Sequence, residues 1–192
     1  MDDAMWAFAR VSGLLDMVLL TGSVLLGILA RSGRPLLAIP RVSVTLLHRN
    51  ISLLAVVFLV FHVVPLLFDS YAQLNLVDVV VPFLGSYKAF WQGLGTVSLD
   101  LMAAVVATAL LRRRLGTRTF KAVHWLSYAM WPLAMAHSMG NGTDGTSAPV
   151  VAAAIVLGVA VLAAVAWRVS AGFLETAAAR RAGNARNGWT RP

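Results

Sequence analysis

Cysteine is absent from the 192 residues, which excludes disulfides, iron–sulfur clusters and thiolate-bound zinc and leaves histidine and oxygen as the available metal ligands. Charge is nearly as scarce. Only 12% of the chain is charged against 59% hydrophobic, with a mean hydropathy of +0.77; a soluble domain is about a quarter charged and about half apolar. An ordinary soluble globule is excluded. Acids are the scarcest class, 8 Asp and Glu against 16 Lys and Arg, for a net charge of +8. That balance invites a nucleic-acid reading, but the basic residues sit in short connections between apolar runs, which is a pattern of membrane topology. The expected partner is membrane lipid, not nucleic acid.

The apolar residues gather into runs able to cross about 30 Å of hydrocarbon at about 1.5 Å per helical residue. Five spans are expected, at residues 11–30, 43–68, 96–111, 119–139 and 148–170. A weaker stretch at 74–84 is interrupted by Asp78 and Pro82 and followed by Tyr87, Lys88, Phe90 and Trp91. It is too short to span and is expected at the interface or re-entrant. The expected fold class is therefore all-α, an integral membrane bundle of about five helices plus that short segment, forming one domain over residues 1–171. The first span follows Asp2 and Asp3 rather than a basic leader, so it is expected to stay in the mature chain. Residues 172–192, rich in Ala, Arg, Asn and Gly, are expected to form a disordered cytoplasmic tail.

Lys and Arg counted near span ends give the orientation. One side collects Arg31, Arg34, Arg41 and Arg49, then Arg112, Arg113, Arg114, Arg118 and Lys121, then Arg168 and the tail arginines. These make 14 of the 16, with only Arg10 and Lys88 opposite. The expected arrangement is a multi-pass protein of the cell inner or plasma membrane, N-terminus out and C-terminus cytoplasmic.

Against this background four histidines stand out, because each lies in an otherwise apolar span: His48 and His62 in the second, His124 and His137 in the fourth. Ionisable groups at membrane depth are expensive and functional by default. The pairs are spaced 14 and 13 residues apart, roughly 20 Å along a helix, so each helix carries one histidine near each membrane face. Spans two and four are separated by one crossing and run the same way. His48 therefore shares a level with His124, and His62 with His137. Two imidazoles facing each other across adjacent helices supply both axial ligands of a b-type heme, and two such pairs would stack two hemes across the bilayer. Zinc is the poorer match, since it wants about four ligands around one ion. Helical phase favours the first helix, where 14 residues fall about 40° short of whole turns; 13 residues fall about 140° short. Either Pro132 changes the local pitch, or the hemes attach from different sides of a tilted helix.

The chain resembles the ferric reductase-like transmembrane domain family, which includes ferric reductases, NADPH oxidases and the heme subunit of periplasmic methionine sulfoxide reductase; the likeness is closest to small stand-alone actinobacterial members. The resemblance is carried by Trp6 to Gly13, Leu47-His48-Arg49-Asn50, Phe61-His62-Val63, Pro82-Phe83-Leu84, Trp91 to Gly95, Val123-His124-Trp125-Leu126 and His137 to Asp144. It implies transmembrane electron transfer by a b-type cytochrome with two bis-histidine hemes, from a cytoplasmic flavoprotein or membrane quinol through His48/His124 and His62/His137 to an extracytoplasmic acceptor. The larger relatives carry a flavin and nicotinamide domain. Here the residues after 170 are too few for one and no Gly-x-Gly-x-x-Gly follows a strand, so no FAD or NADP domain is expected in this chain. Two rival readings are a non-catalytic heme-bound subunit that anchors a redox partner and a cytochrome b-like quinol oxidoreductase subunit. A third, a transporter with histidine proton relays, predicts a colourless protein.

Other residues are secondary candidates. Arg49, beside a ligand, is expected to meet a heme propionate, and Arg41 and Arg112–Arg114 are weaker candidates for the same role. Asp16 and Asp100 are placed about one turn inside the outer ends of spans one and three; the preferred reading is an acid reaching the interface or pairing with Arg10, against a proton or quinone site. Trp125, Tyr128 and Trp131 are expected mainly as packing residues, and Asp69, Tyr71, Tyr87, Lys88 and Trp91 as interfacial anchors or the rim of an acceptor site.

Overall fold

The computed structural model describes residues 2–32, 39–70, 72, 74–173 and 175. The helices are α1 (Asp2–Arg31), α2 (Arg41–Leu66), α3 (Leu76–Val80), α4 (Ala89–Leu110), α5 (Arg112–His124), α6 (Ser127–Asn141) and α7 (Ala148–Val169). The protein is an all-α membrane bundle. Four of its helices, α1 from Ala4 onward, α2, α4 and α7, are long and apolar enough to cross a membrane. Arg34, Tyr71 and the arginines after Glu175 lie outside the described residues, as does most of the expected tail.

α1 is the hub. Its Met17, Leu20, Val24 and Ile28 form the core with Ala55 of α2, Met102 of α4, Met130 and Trp131 of α6 and Val161 of α7. Large apolar side chains elsewhere face outward, among them Ile155, Val156, Val159 and Leu162 of α7, as expected where lipid rather than water surrounds the helix. The segment at 74–84 holds only the five-residue α3, capped reciprocally by Asn75 and Asp78. The Thr96 hydroxyl donates to the Asp78 carbonyl at 2.7 Å and ties α3 to α4.

Three boundaries differ from expectation, the first being α1, which begins at Asp2 rather than near residue 11. α4 begins at Ala89 rather than near residue 96: Trp91, Gln92 and Gly93 lower the local hydropathy but are helical. The run expected as one helix over 119–139 is two, broken at Trp125 and Leu126. Bonds to the third preceding residue close this turn: Leu126 N to Val123 O at 2.9 Å, Tyr128 N to Trp125 O at 3.1 Å and Ala129 N to Leu126 O at 3.0 Å. Such turns wind about 120° per residue instead of about 100°, so a few of them recover roughly 60–80° of the 140° phase deficit. The change of pitch is therefore made upstream of Pro132, which lies inside α6.

α6 is pinned to α1 by a buried bond, Trp131 Nε1 donating to Thr21 Oγ1 at 2.9 Å, while that hydroxyl donates to the Met17 carbonyl at 2.8 Å. Interhelical bonds in membranes average about 0.6 kcal/mol and reach about 1.7. Thr21→Val keeps the volume but leaves the indole N–H buried without an acceptor, so a loss near the upper end, about 1–2 kcal/mol, is expected in reversible detergent unfolding. An unchanged midpoint would show that this bond does not hold α6 in place.

Candidate cofactor site

The four histidines come together as two pairs. His48 and His124 have ring centres 6.2 Å apart with planes at 89°, and His62 and His137 are also 6.2 Å apart, at 77°. Their helices α2 and α6 are not a closely packed pair among the described residues. Instead α1 packs on α2, α4 packs on α6, and α1 reaches across to α6. The rings thus face each other across a space framed by α1 and α4, the helices packed on α2 and α6. Among the described residues no cluster of three or more His, Asp or Glu is placed to hold a metal ion; the arrangement is strictly paired.

Three of the imidazoles are anchored by one repeated device. His62 Nδ1 donates to the Ala9 carbonyl at 2.7 Å, His48 Nδ1 to the Ser23 carbonyl at 2.9 Å, and His137 Nδ1 to the Trp91 carbonyl at 2.8 Å. A carbonyl only accepts, so in each ring Nδ1 carries the proton and Nε2 keeps its lone pair. Four residues beyond each carbonyl is a glycine: Gly13, Gly27 and Gly95. That is the residue whose N–H takes the carbonyl in the helix ladder, and its side chain would lean back over the same oxygen. A Cβ there would lie 2.7 Å from the His62 ring at Gly13, 3.2 Å from His48 at Gly27 and 2.6 Å from His137 at Gly95. The carbonyl's second lone pair is open to an imidazole only because the glycine is bare. On α1 the two glycines are 14 residues apart, the spacing of His48 and His62 on the antiparallel α2.

His124 is held differently. Its Nδ1 is buried and meets no partner among the described residues, and its ring lies 5.2 Å from Phe120. Extending the register that pairs Trp91 with His137 by 13 residues brings Ala104 and Thr108 to its level. The position corresponding to glycine is thus a threonine. The Thr108 hydroxyl itself donates to the Ala104 and Val105 carbonyls, at 2.8 and 3.1 Å.

A cavity of about 200 Å³ opens beside the His62–His137 pair, lined by Gly13, Asp16, Thr96, Met102 and Asn141 among others. Asp16 corrects the sequence reading. It does not pair with Arg10, which instead bonds Thr143 at 3.0 Å and ion-pairs with Asp144. Asp16 is 5% exposed with Oδ1 unpartnered among the described residues. The longer α1 and α4 put both Asp16 and Asp100 near mid-helix rather than one turn from an end, and Asp100 is exposed and does not line the cavity. Trp131 is buried between the two pairs, whereas Trp125 is 54% exposed. Arg49 and Arg41 are exposed, and Arg112 lies 5.7 Å over the Phe120 ring.

The family of ferric reductase like transmembrane components matches residues 12–135. The chain belongs to that family. The matched region holds His48, His62 and His124 together with Gly13, Gly27 and Gly95; His137 follows two residues beyond its end. No curated protein and no solved structure matches the chain. As a ferric reductase-like membrane component, the protein holds its imidazoles with three backbone carbonyls and three glycines; of these six positions the charge and hydropathy pattern singled out only Trp91, and that as an interfacial anchor or the rim of an acceptor site. The equal 14-residue spacings of Gly13/Gly27 and His48/His62 are the signal that points to two of the three cradles.

Proposed function

We propose that the protein is a transmembrane electron carrier in which His48 with His124 and His62 with His137 would each hold one of two b-type hemes, with Arg49, next to His48 in the chain, available to a heme carboxylate. The observation that carries this reading is the combination of paired rings and fixed tautomers. Two imidazoles that share one metal at about 2.0–2.1 Å per nitrogen have centres roughly 6–6.5 Å apart, and both pairs here stand at 6.2 Å. Bound heme supplies reversible one-electron chemistry at iron, tuned by its ligands and surroundings.

The chain's own residues do the rest. The carbonyls of Ala9, Ser23 and Trp91 hold Nδ1–H, orient each ring and raise the basicity of Nε2. Apolar helices give the pairs a surround of low polarity, and the spacing along α2 keeps the two levels apart. By the positive-inside rule the end bearing Arg31, Arg41, Arg112 and Arg168 is cytoplasmic. A separate flavoprotein or membrane quinol on that side would be the donor nearest His48 and His124, and an extracytoplasmic acceptor such as a ferric chelate would lie nearest His62 and His137.

The purified protein is expected to give a b-type pyridine hemochrome with about two hemes per chain, both low-spin. A purified, folded chain without heme would overturn the proposal.

A further inference from the structure

At the basic end, Arg168 in the last turn of α7 is buried, its side chain only 9% exposed. The guanidinium carbon lies 5.2 Å from the Trp125 ring centre and 5.1 Å from that of Phe173. Aromatic contacts on both rings leave recognition to its N–H edges. One nitrogen, Nη2, approaches Glu175 Oε1 at 3.5 Å, too long for a good hydrogen bond. Arg31 Nη2 reaches the same carboxylate at 3.3 Å. Nε and Nη1 of Arg168 are buried and meet no acceptor among the described residues. These two atoms carry three N–H donors.

Glu175 is the only glutamate in the chain, and it is 42% exposed. One loosely held carboxylate thus faces two guanidinium groups, one of them almost wholly withdrawn from water. A buried cation with unmet donors is costly and is normally offset by an anion. The place is specific: Trp125 follows His124, and Arg31 closes α1 four residues beyond Gly27, against which His48 packs.

We infer that Arg168, seconded by Arg31, receives an anionic oxygen group, a carboxylate or a phosphate, beside the His48–His124 pair at the basic end of the bundle. Guanidinium forks match both anions. The group has two sources, a heme carboxylate or the phosphate of an anionic lipid. The first rests on the function proposed above; the second does not.

The test uses the full-length protein in nanodiscs of phosphatidylglycerol or phosphatidylcholine, comparing wild type with Arg168→Gln. If the source is heme, loss of the cation lowers the midpoint potential of one heme, leaves the other as an internal control, and does so equally in both lipids. If it is lipid, the potentials stay put, while wild type extracted from phosphatidylglycerol retains that lipid in native mass spectrometry and Arg168→Gln retains at least about tenfold less. Unchanged potentials together with unchanged lipid retention would overturn the inference. Arg31→Gln, at a half-exposed side chain, is expected to produce a smaller change of the same kind and keeps the test readable if Arg168→Gln does not fold. If wild type proves to hold no heme, the function above fails on its own and the lipid comparison still decides this site.

Discussion

Replacing His137 by alanine is expected to remove about half of the bound heme, or to turn that half high-spin, and to leave the other half low-spin; His62→Ala should do the same. The reason is geometric: the two rings face each other at 6.2 Å and would hold one iron between them. The decisive experiment is the set of double variants. Residues that act on one partner are not additive, so His62→Ala with His137→Ala should cost no more heme than either alone. His48→Ala with His62→Ala, which takes one ligand from each level, should leave no low-spin heme at all. Complete loss from the first double variant, or half-retention of low-spin heme in the second, would mean that the pairs are wrongly drawn. Hemochrome stoichiometry and electron paramagnetic resonance read both quantities.

The pairing itself was open to derivation before any coordinates, because it depends on the parity of crossings and not on packing detail. Basic residues say which ends lie together, one crossing separates the two histidine-bearing runs, and so the early histidines meet each other. The short, interrupted stretch at 74–84 was equally legible, since Asp78 and Pro82 leave no run long enough to span. What hydropathy could not show was where backbone turns or side chains bury. The helical start at Ala89 is hidden by aromatic and polar residues that suit a helix near an interface. The break at Trp125 depends on a change from bonds to the fourth preceding residue to bonds to the third, which composition does not record. Asp16 resembles any acid in a membrane helix until the partner of Arg10 is known, and that partner, Asp144, is 134 positions away. Arg168 was legible as topology only; its burial depends on Trp125 from the break between α5 and α6 and on the turn after α7 that folds Phe173 back over it.

The glycines lead to the second large effect. Gly95→Val is expected to displace the His137 ring, break its bond to the Trp91 carbonyl and weaken heme retention at that level by about 10–100-fold, the range for removing the hydrogen-bond partner of a ligating histidine. The ring must shift, because a Cβ at position 95 would stand 2.6 Å from its Nδ1 and Cε1. Gly13→Val should behave alike toward His62, where the corresponding distance is 2.7 Å. Gly27→Ala, whose Cβ would come no closer than 3.2 Å to His48, should be distinctly milder. The comparison residue is Gly158 on α7, around which an added Cβ meets nothing within 4 Å. In water, alanine is the better helix former by about 1 kcal/mol, so Gly158→Ala should leave heme content intact and not lower stability. The order expected in heme loss is therefore positions 95 and 13 first, then 27, then 158. Equal loss at all four would reduce the cradles to ordinary helix packing. A graded loss that follows the Cβ–imidazole distances would tie heme retention to the open carbonyls of Trp91, Ala9 and Ser23.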